Sequence, residues 1–310
     1  MRIGLMIGEG SGSSPGLDGL VERARELEAK GFDTAWMANI FSFDAIGALG
    51  IVGRETRRIE LGTAVVPTYP RHPVAMAQQA LTTQAACHGR FVLGIGLSHQ
   101  LVIENLLGLS YERRASHMRE YLEVLAPLLR GAPADWKGEE YRVQVGLQVP
   151  GAAPVPVLVA ALGPAMLRVA ARLAAGTITW MTGPKTLAEH TVPTLTAAAR
   201  EAGAAAPRVV AGLPIVLVRD PAAARAKAAE VFAIYGQLPS YRAMLDREGA
   251  AGPADVAIAG DERSLAAALR GLEDAGVTDL CAAVFEAEPG CAARTTDFLA
   301  SRARSGARKG

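Results

Sequence analysis

Apolar positions along this chain switch between two periods. Helical runs with a single apolar stripe give way at once to short runs of β-branched and aromatic residues. Leu17, Leu20, Ala24 and Leu27 share one helical face, as do Met118, Leu122, Leu125 and Leu129, and again Leu265, Leu269 and Leu272. Ser14 followed by Pro15 reads as the cap and first turn of the first helix, and Asp261 as the cap of the third. Four helical runs end in glycine before a strand-like run: Gly31 before Phe32–Met37, Gly89 before Phe91–Gly96, Gly176 before Thr177–Met181, and Gly276 before Val277–Val284. Glycine just past a helix takes the left-handed conformation that closes its last turn. The residues that follow suit a parallel strand buried on both faces.

Strands are expected at 2–7, 33–38, 59–66, 91–96, 155–161, 176–181, 208–218 and 278–284. Eight strands alternating with helices predict an α/β chain folded as a (β/α)8 TIM barrel, with a doubly wound open sheet as the competing arrangement. Two stretches exceed the repeating unit. Residues 132–152 read as a hairpin, and residues 236–256 as an inserted helix with loops over the barrel mouth. No linker divides the chain, so one domain over 1–310 is expected, with 302–310 a disordered polar tail.

Composition narrows the function class. Half of the residues are hydrophobic, and 32 Lys and Arg balance 31 Asp and Glu, for a net charge of +1. Nucleic-acid and membrane-surface roles usually need a concentrated basic face, and none is present. Three cysteines without a CxxC pair argue against a disulfide framework or a zinc site and fit a reducing compartment. The start, MRIGLMIGEG, lacks the apolar core of a signal peptide, and the most apolar stretch, 155–173, is too broken to span a bilayer. A soluble cytoplasmic protein acting on small molecules is expected. The five histidines show no HxH or HExxH spacing, so no metal site is expected, and His117 is placed exposed on its helix.

In a TIM barrel the chemistry sits at the C-terminal ends of the strands. That rule selects 8–12, 37–41, 64–72, 96–99, 160–164 and 179–184. GEGSGSSPG after the first strand lacks the Gly-Lys-Ser/Thr of a phosphate loop, and Gly94-Ile-Gly96-Leu-Ser-His99 lacks the final glycine of a dinucleotide fingerprint. Aromatic and apolar side chains at these ends, Phe41, Tyr69, Trp180 and Met181, shape a pocket for an uncharged, partly hydrophobic substrate. The helix start Leu162-Gly-Pro-Ala-Met166 offers free backbone N–H groups and a dipole end that favour an anion.

The run Leu61-Gly-Thr-Ala-Val-Val-Pro-Thr-Tyr-Pro-Arg-His-Pro73 is more specific. With Gly31-Phe-Asp-Thr34, Gly89-Arg-Phe91, Gly94-Ile-Gly96 and Ala160-Ala-Leu-Gly-Pro164, it resembles the luciferase-like family over nearly the whole chain. PTYPRHP and YGQLPSYRAML resemble an actinobacterial branch that uses the deazaflavin coenzyme F420. The resemblance implies a hydride-transferring oxidoreductase, often a homodimer, with FMN as the alternative cofactor of a monooxygenase. A barrel that binds a deazaflavin or pigment without turnover is a further alternative. It also implies a non-prolyl cis peptide at Ala64–Val65 behind the deazaflavin ring and a coenzyme phosphate on the helix start at Ala161, Leu162, Gly163, Pro164, Ala165 and Met166. Met37, Asn39, Gly96 and His99 complete the implied cofactor contacts.

The chain also departs from that family. Several relatives carry Asp-His where this sequence has Asn39-Ile40, and an acidic residue where it has His99. Isoleucine accepts no proton, so alcohol or sugar oxidation by their route is not expected. A site with few bases suits reduction of a C=N or activated C=C bond by the reduced coenzyme, with His99 as proton donor and Asn39 beside it.

Overall fold

The computed structural model describes residues 1–11 and 16–306. Eight parallel strands close into a barrel: β1 (Arg2–Ile7), β2 (Thr34–Met37), β3 (Glu60–Thr63), β4 (Phe91–Gly96), β5 (Val157–Val159), β6 (Gly176–Trp180), β7 (Arg208–Leu217) and β8 (Asp279–Val284). Each pairs with the next, and β8 returns to β1 through Arg2–Asp279 to Leu5–Ala282. The expected barrel is therefore the observed one, and the open sheet is excluded by closure.

Helices pack around the ring because their apolar stripes meet the outward faces of the strands. Leu20, Ala24 and Leu27 of Leu17–Lys30 are buried, and so are Met118, Leu122, Leu125 and Leu129 of Arg114–Leu129. The expected cap and first turn at Ser14 and Pro15 lie outside the described residues, and Gly16 stands at the N-cap without a side-chain bond. Asp261 does cap Glu262–Asp274, its carboxylate accepting the Ser264 N–H at 2.8 Å. Gly31, Gly89 and Gly276 take left-handed φ values of 88°, 83° and 87°. Gly176 does not end a helix as expected. It opens β6, where a Cβ would collide with the backbone of Arg208 on β7.

Other boundaries shift for local reasons. The third strand breaks at Ala64–Val65 and resumes as Val66–Pro67 against β4. The upper part of β7 overshoots the ring and pairs with an unforeseen short strand, Ile258–Gly260. Ala134–Lys137 and Arg142–Val145 form the expected antiparallel hairpin. The last helix, Cys291–Gly306, runs through most of the stretch expected to be a disordered tail. It persists because Leu299, Ala300 and Ala303 are buried and the Arg302 guanidinium lies over the Phe298 ring; residues 307–310 are outside the described part.

Inside the ring, Trp36 fills the centre. Gly4 and Gly62 make its space, since a Cβ on either meets the indole. Met6, Val92, Leu158, Ile178, Val210, Cys281 and Ala283 pack around it. The floor carries an ion lattice: Arg208 pairs with Asp279 (2.5 Å) and Glu60 (2.6 Å), and Arg2 joins both carboxylates. Burial opposes the Arg208 charge, but the two carboxylates outweigh it and hold the guanidinium protonated. The barrel is thus solid at its N-terminal end and opens only at the C-terminal mouth.

Replacing Gly62 by Ala forces a methyl against a fully buried indole that has nowhere to move. The expected cost is about 1–3 kcal/mol, read as a lower urea midpoint with unchanged slope. An unshifted midpoint would show that the centre of the barrel is not close-packed.

Candidate active site at the barrel mouth

A cavity of about 1450 Å³ opens at the C-terminal ends of the strands. Its floor is the top of the barrel filling: Met6, Ile178, Cys281 and the Ala64–Val65 step, whose peptide bond is cis as the resemblance implied. Gly96 at the end of β4 belongs to this floor. A Cβ there would stand 2.7 Å from Val65 Cγ2, so glycine leaves the surface beside the bulge flat.

Over β5 the wall is the start of Pro164–Leu173. Gly163 is the N-cap, with no side chain spent on the first N–H groups, and Leu162, Gly163, Pro164, Ala165 and Met166 all line the cavity. Arg168, one turn further on, lines it too. Sequence reasoning passed over Arg168, although the i, i+4 relation to Pro164 on a helix was there to find it. Arg113 and Arg114 follow β4 on the same side, Arg113 paired with Glu139 and Arg114 adding positive charge. An uncapped helix start with Arg114 and Arg168 lining the same cavity is suited to phosphate or carboxylate groups.

His99 follows β4 and lines the cavity, its ring 5.5 Å from that of Tyr241. Burial lowers its pKa below the ordinary 6.5, so near pH 7 the ring is neutral. Proton delivery by an imidazolium, expected near neutrality, is thereby moved to the acidic side. The His99 backbone carbonyl also accepts the N–H groups of Val102 and Ile103, anchoring the turn that follows. Asn39 lines the cavity with its side-chain oxygen committed to the Ala45 N–H at 3.0 Å, which leaves its amide group as a donor.

The helix of the second insertion, Pro239–Glu248, does cover the mouth. Leu238, Ser240, Tyr241 and Met244 line the cavity, as does Tyr235 just before it. Phe41 and Trp180 also lie on the lining.

Four of the expected site residues stand elsewhere. Met37 and Ala161 turn outward into the shell between strands and helices, as alternation along a strand requires. Met181 is fully buried in that same shell at a positive φ of 54°. Tyr69 is drawn away by His117, on which it stacks at 4.0 Å. His117 itself is buried rather than exposed, held between Thr68 Oγ1 (3.0 Å) and Glu140 Oε2 (2.7 Å). It ties the segment after β3 to the first insertion.

One carboxylate among the described lining residues went unnoticed in the glycine-rich run after β1. Glu9 Oε2 accepts the backbone N–H groups of Phe41 (3.2 Å) and Ser42 (3.0 Å), and so pins the loop after β2.

A closed (β/α)8 barrel with a deep, apolar-floored cavity and an uncapped helix start at its C-terminal mouth is the arrangement in which this fold carries ligand sites. The luciferase-like monooxygenase family model matches residues 1–301, and the chain belongs to that family. Among its relatives, a 5,10-methylenetetrahydromethanopterin reductase of Archaeoglobus fulgidus is 31% identical over 162 residues, 51% of this chain and 48% of that protein. An F420-dependent glucose-6-phosphate dehydrogenase of Nakamurella multipartita is 38% identical over 136 residues, 42% of this chain and 40% of that protein. The chain thus matches about half of the length of these two relatives. The fold is shared with the coenzyme F420-dependent tetrahydromethanopterin reductase of Methanopyrus kandleri, at a TM-score of 0.80 and 21% identity over 98% of this chain and 99% of that one. Among the described residues, no helix is long and apolar enough to cross a membrane.

Substituting Glu9 by Ala removes the acceptor that holds Phe41 and Ser42. Limited proteolysis of the loop 40–43 is expected to become severalfold faster, while global stability changes by under about 1 kcal/mol. Unchanged cleavage would mean that the loop is held by other contacts.

Proposed function

We propose that this chain is a coenzyme F420-dependent oxidoreductase that reduces a C=N or activated C=C bond of a small organic substrate. The carrying observation is the pairing, in one cavity, of a flat apolar floor at Ala64–Val65 and Gly96 with a cationic cradle at Gly163–Met166 and Arg168. That combination fits a planar ring joined to a phosphate-bearing tail. The relatives named for F420 support the same reading.

The coenzyme, when bound, supplies a hydride to the substrate. The residues of this chain do the rest. The N–H groups at the start of Pro164–Leu173 and the Arg168 side chain hold the anionic tail. Val65, with Gly96 leaving room beside it, would support the ring. Trp180, Tyr235 and Tyr241 exclude water from the floor, which strengthens every polar contact there. Asn39 contributes an N–H donor and no base, and Glu9 has one carboxylate oxygen committed to the backbone. Such a lining leaves His99 to exchange the proton, and the ring donates it only on the acidic side of its ordinary pKa, where it is charged; reduction in that range is the direction we propose. The mouth takes a small molecule, and a homodimer acting in a reducing cytoplasm is part of the same reading.

Titration of the purified protein with oxidised F420 and with FMN, followed by fluorescence, tests the cofactor. F420 is expected to bind at least about a hundredfold more tightly, given the extra anionic contacts. Equal or tighter FMN binding would move the chain to the flavin monooxygenases.

With His99 as donor, the hydride-transfer rate under single turnover is expected to fall as pH rises through the lowered histidine pKa, on the acidic side of 6.5. His99→Gln should bind F420 normally, turn over about tenfold or more slowly, and lose that limb of the profile. A variant with the wild-type rate and profile would leave the proton to solvent.

A further inference from the structure

The order of strands in the ring decides which mouth loops face one another. In the closed eight-strand barrel, β4 and β5 lie opposite β8 and β1. Four arginines line the cavity among the described residues, and Arg71 is neutralised by pairing with Asp44. Arg113 is likewise paired with Glu139, and the other two, Arg114 and Arg168, follow β4 and β5, as does the helix start at Gly163. Positive charge is therefore gathered on one side.

The opposite sector is apolar. Ile40 and Phe41 follow β2, and Val231 and Ile234 follow β7, so both pairs flank the β8–β1 side. They are 45%, 67%, 45% and 49% exposed, and all four line the opening. Glu9, the one acid among the described lining residues, directs Oε2 to the backbone of the Phe41 loop. Between the two sectors runs a file of rings: His99, Tyr241, Tyr235, Trp180 and Phe232, with successive centroids 5.5, 5.3, 5.6 and 6.0 Å apart.

Scattered exposed apolar residues need no explanation, but of the five large ones among the described lining residues four flank the β8–β1 side, and only Leu107 follows β4. Those four strip water from an apolar ligand on entry, and the ring file offers stacking and edge contacts beyond them. An anionic substrate gains nothing in this sector and is drawn instead to the arginine side.

We infer that the sector over β7, β8, β1 and β2 is the substrate subsite, and that it takes a bulky, uncharged, ring-containing apolar molecule entering between Phe41 and Ile234. The inference deepens the proposed function and rests on it for the occupant of the arginine side.

The neutral polycyclic dye Nile red, titrated into the full chain with and without F420, tests both points separately. One dye per chain is expected to bind, with or without coenzyme. Phe41→Ser and Ile234→Ser should each weaken the dye about tenfold, the scale of losing one buried apolar side chain. Both should leave F420 affinity within about twofold. Arg168→Ala should do the reverse. Both rim side chains are exposed, so these variants fold. Failure of the wild type to bind dye, dye affinity unchanged in both rim variants, or competitive expulsion of the dye by F420 overturns the inference. The expected dye pattern without any F420 binding overturns only the coenzyme reading.

Discussion

Closure of the barrel around Trp36 is the constraint on which the rest of this structure depends. A ring of eight strands needs its interior filled, and here one indole occupies the centre where Gly4 and Gly62 withdraw their side chains. Arg208, Asp279, Glu60 and Arg2 then seal the N-terminal end. Burying a charge lattice is costly unless every member is paired, and in this one each member is. Solid filling below leaves the C-terminal mouth as the place where a large ligand can enter, and it sets the cavity floor at Met6, Ile178 and Cys281.

The same closure creates functional asymmetry. Loops that follow neighbouring strands share a sector, and loops half a ring apart face each other across the cavity. Charge placed after β4 and β5 is therefore kept away from the apolar rim built after β2 and β7. In the proposed reading, a coenzyme with an anionic tail and an apolar substrate share that cavity without competing. The inserted segment that carries Tyr235 and Tyr241 links the sectors and brings a ring against His99, whose burial keeps it neutral near pH 7.

The neighbourhood of His117 shows how a buried polar group supports such a site without entering it. Its ring nitrogens meet Thr68 and Glu140, and Tyr69 stacks on its face. Burial lowers its pKa while Glu140 opposes that shift, so the ring is a fixed hydrogen-bonding strut between the segment after β3 and the hairpin. Its position on a polar-looking helix face gave no hint of this, because its partners are 49 and 23 residues away in the chain.

The sequence by itself determined the alternation of strand and helix, the barrel, the two insertions, and the motif whose Ala64–Val65 bond is cis. Those features are local: period, capping and glycine placement act over a few residues, and a motif carries its own geometry. Only the tertiary structure decided which side of each strand end reaches the cavity. It turned Met37, Ala161 and Met181 into the outer shell, drew Tyr69 onto His117, tied Glu9 to the loop after β2, set Tyr241 against His99, and brought Arg168 to the mouth. The reason is geometric. One residue along a strand reverses the side-chain direction, and residues distant in sequence become neighbours only when the ring closes.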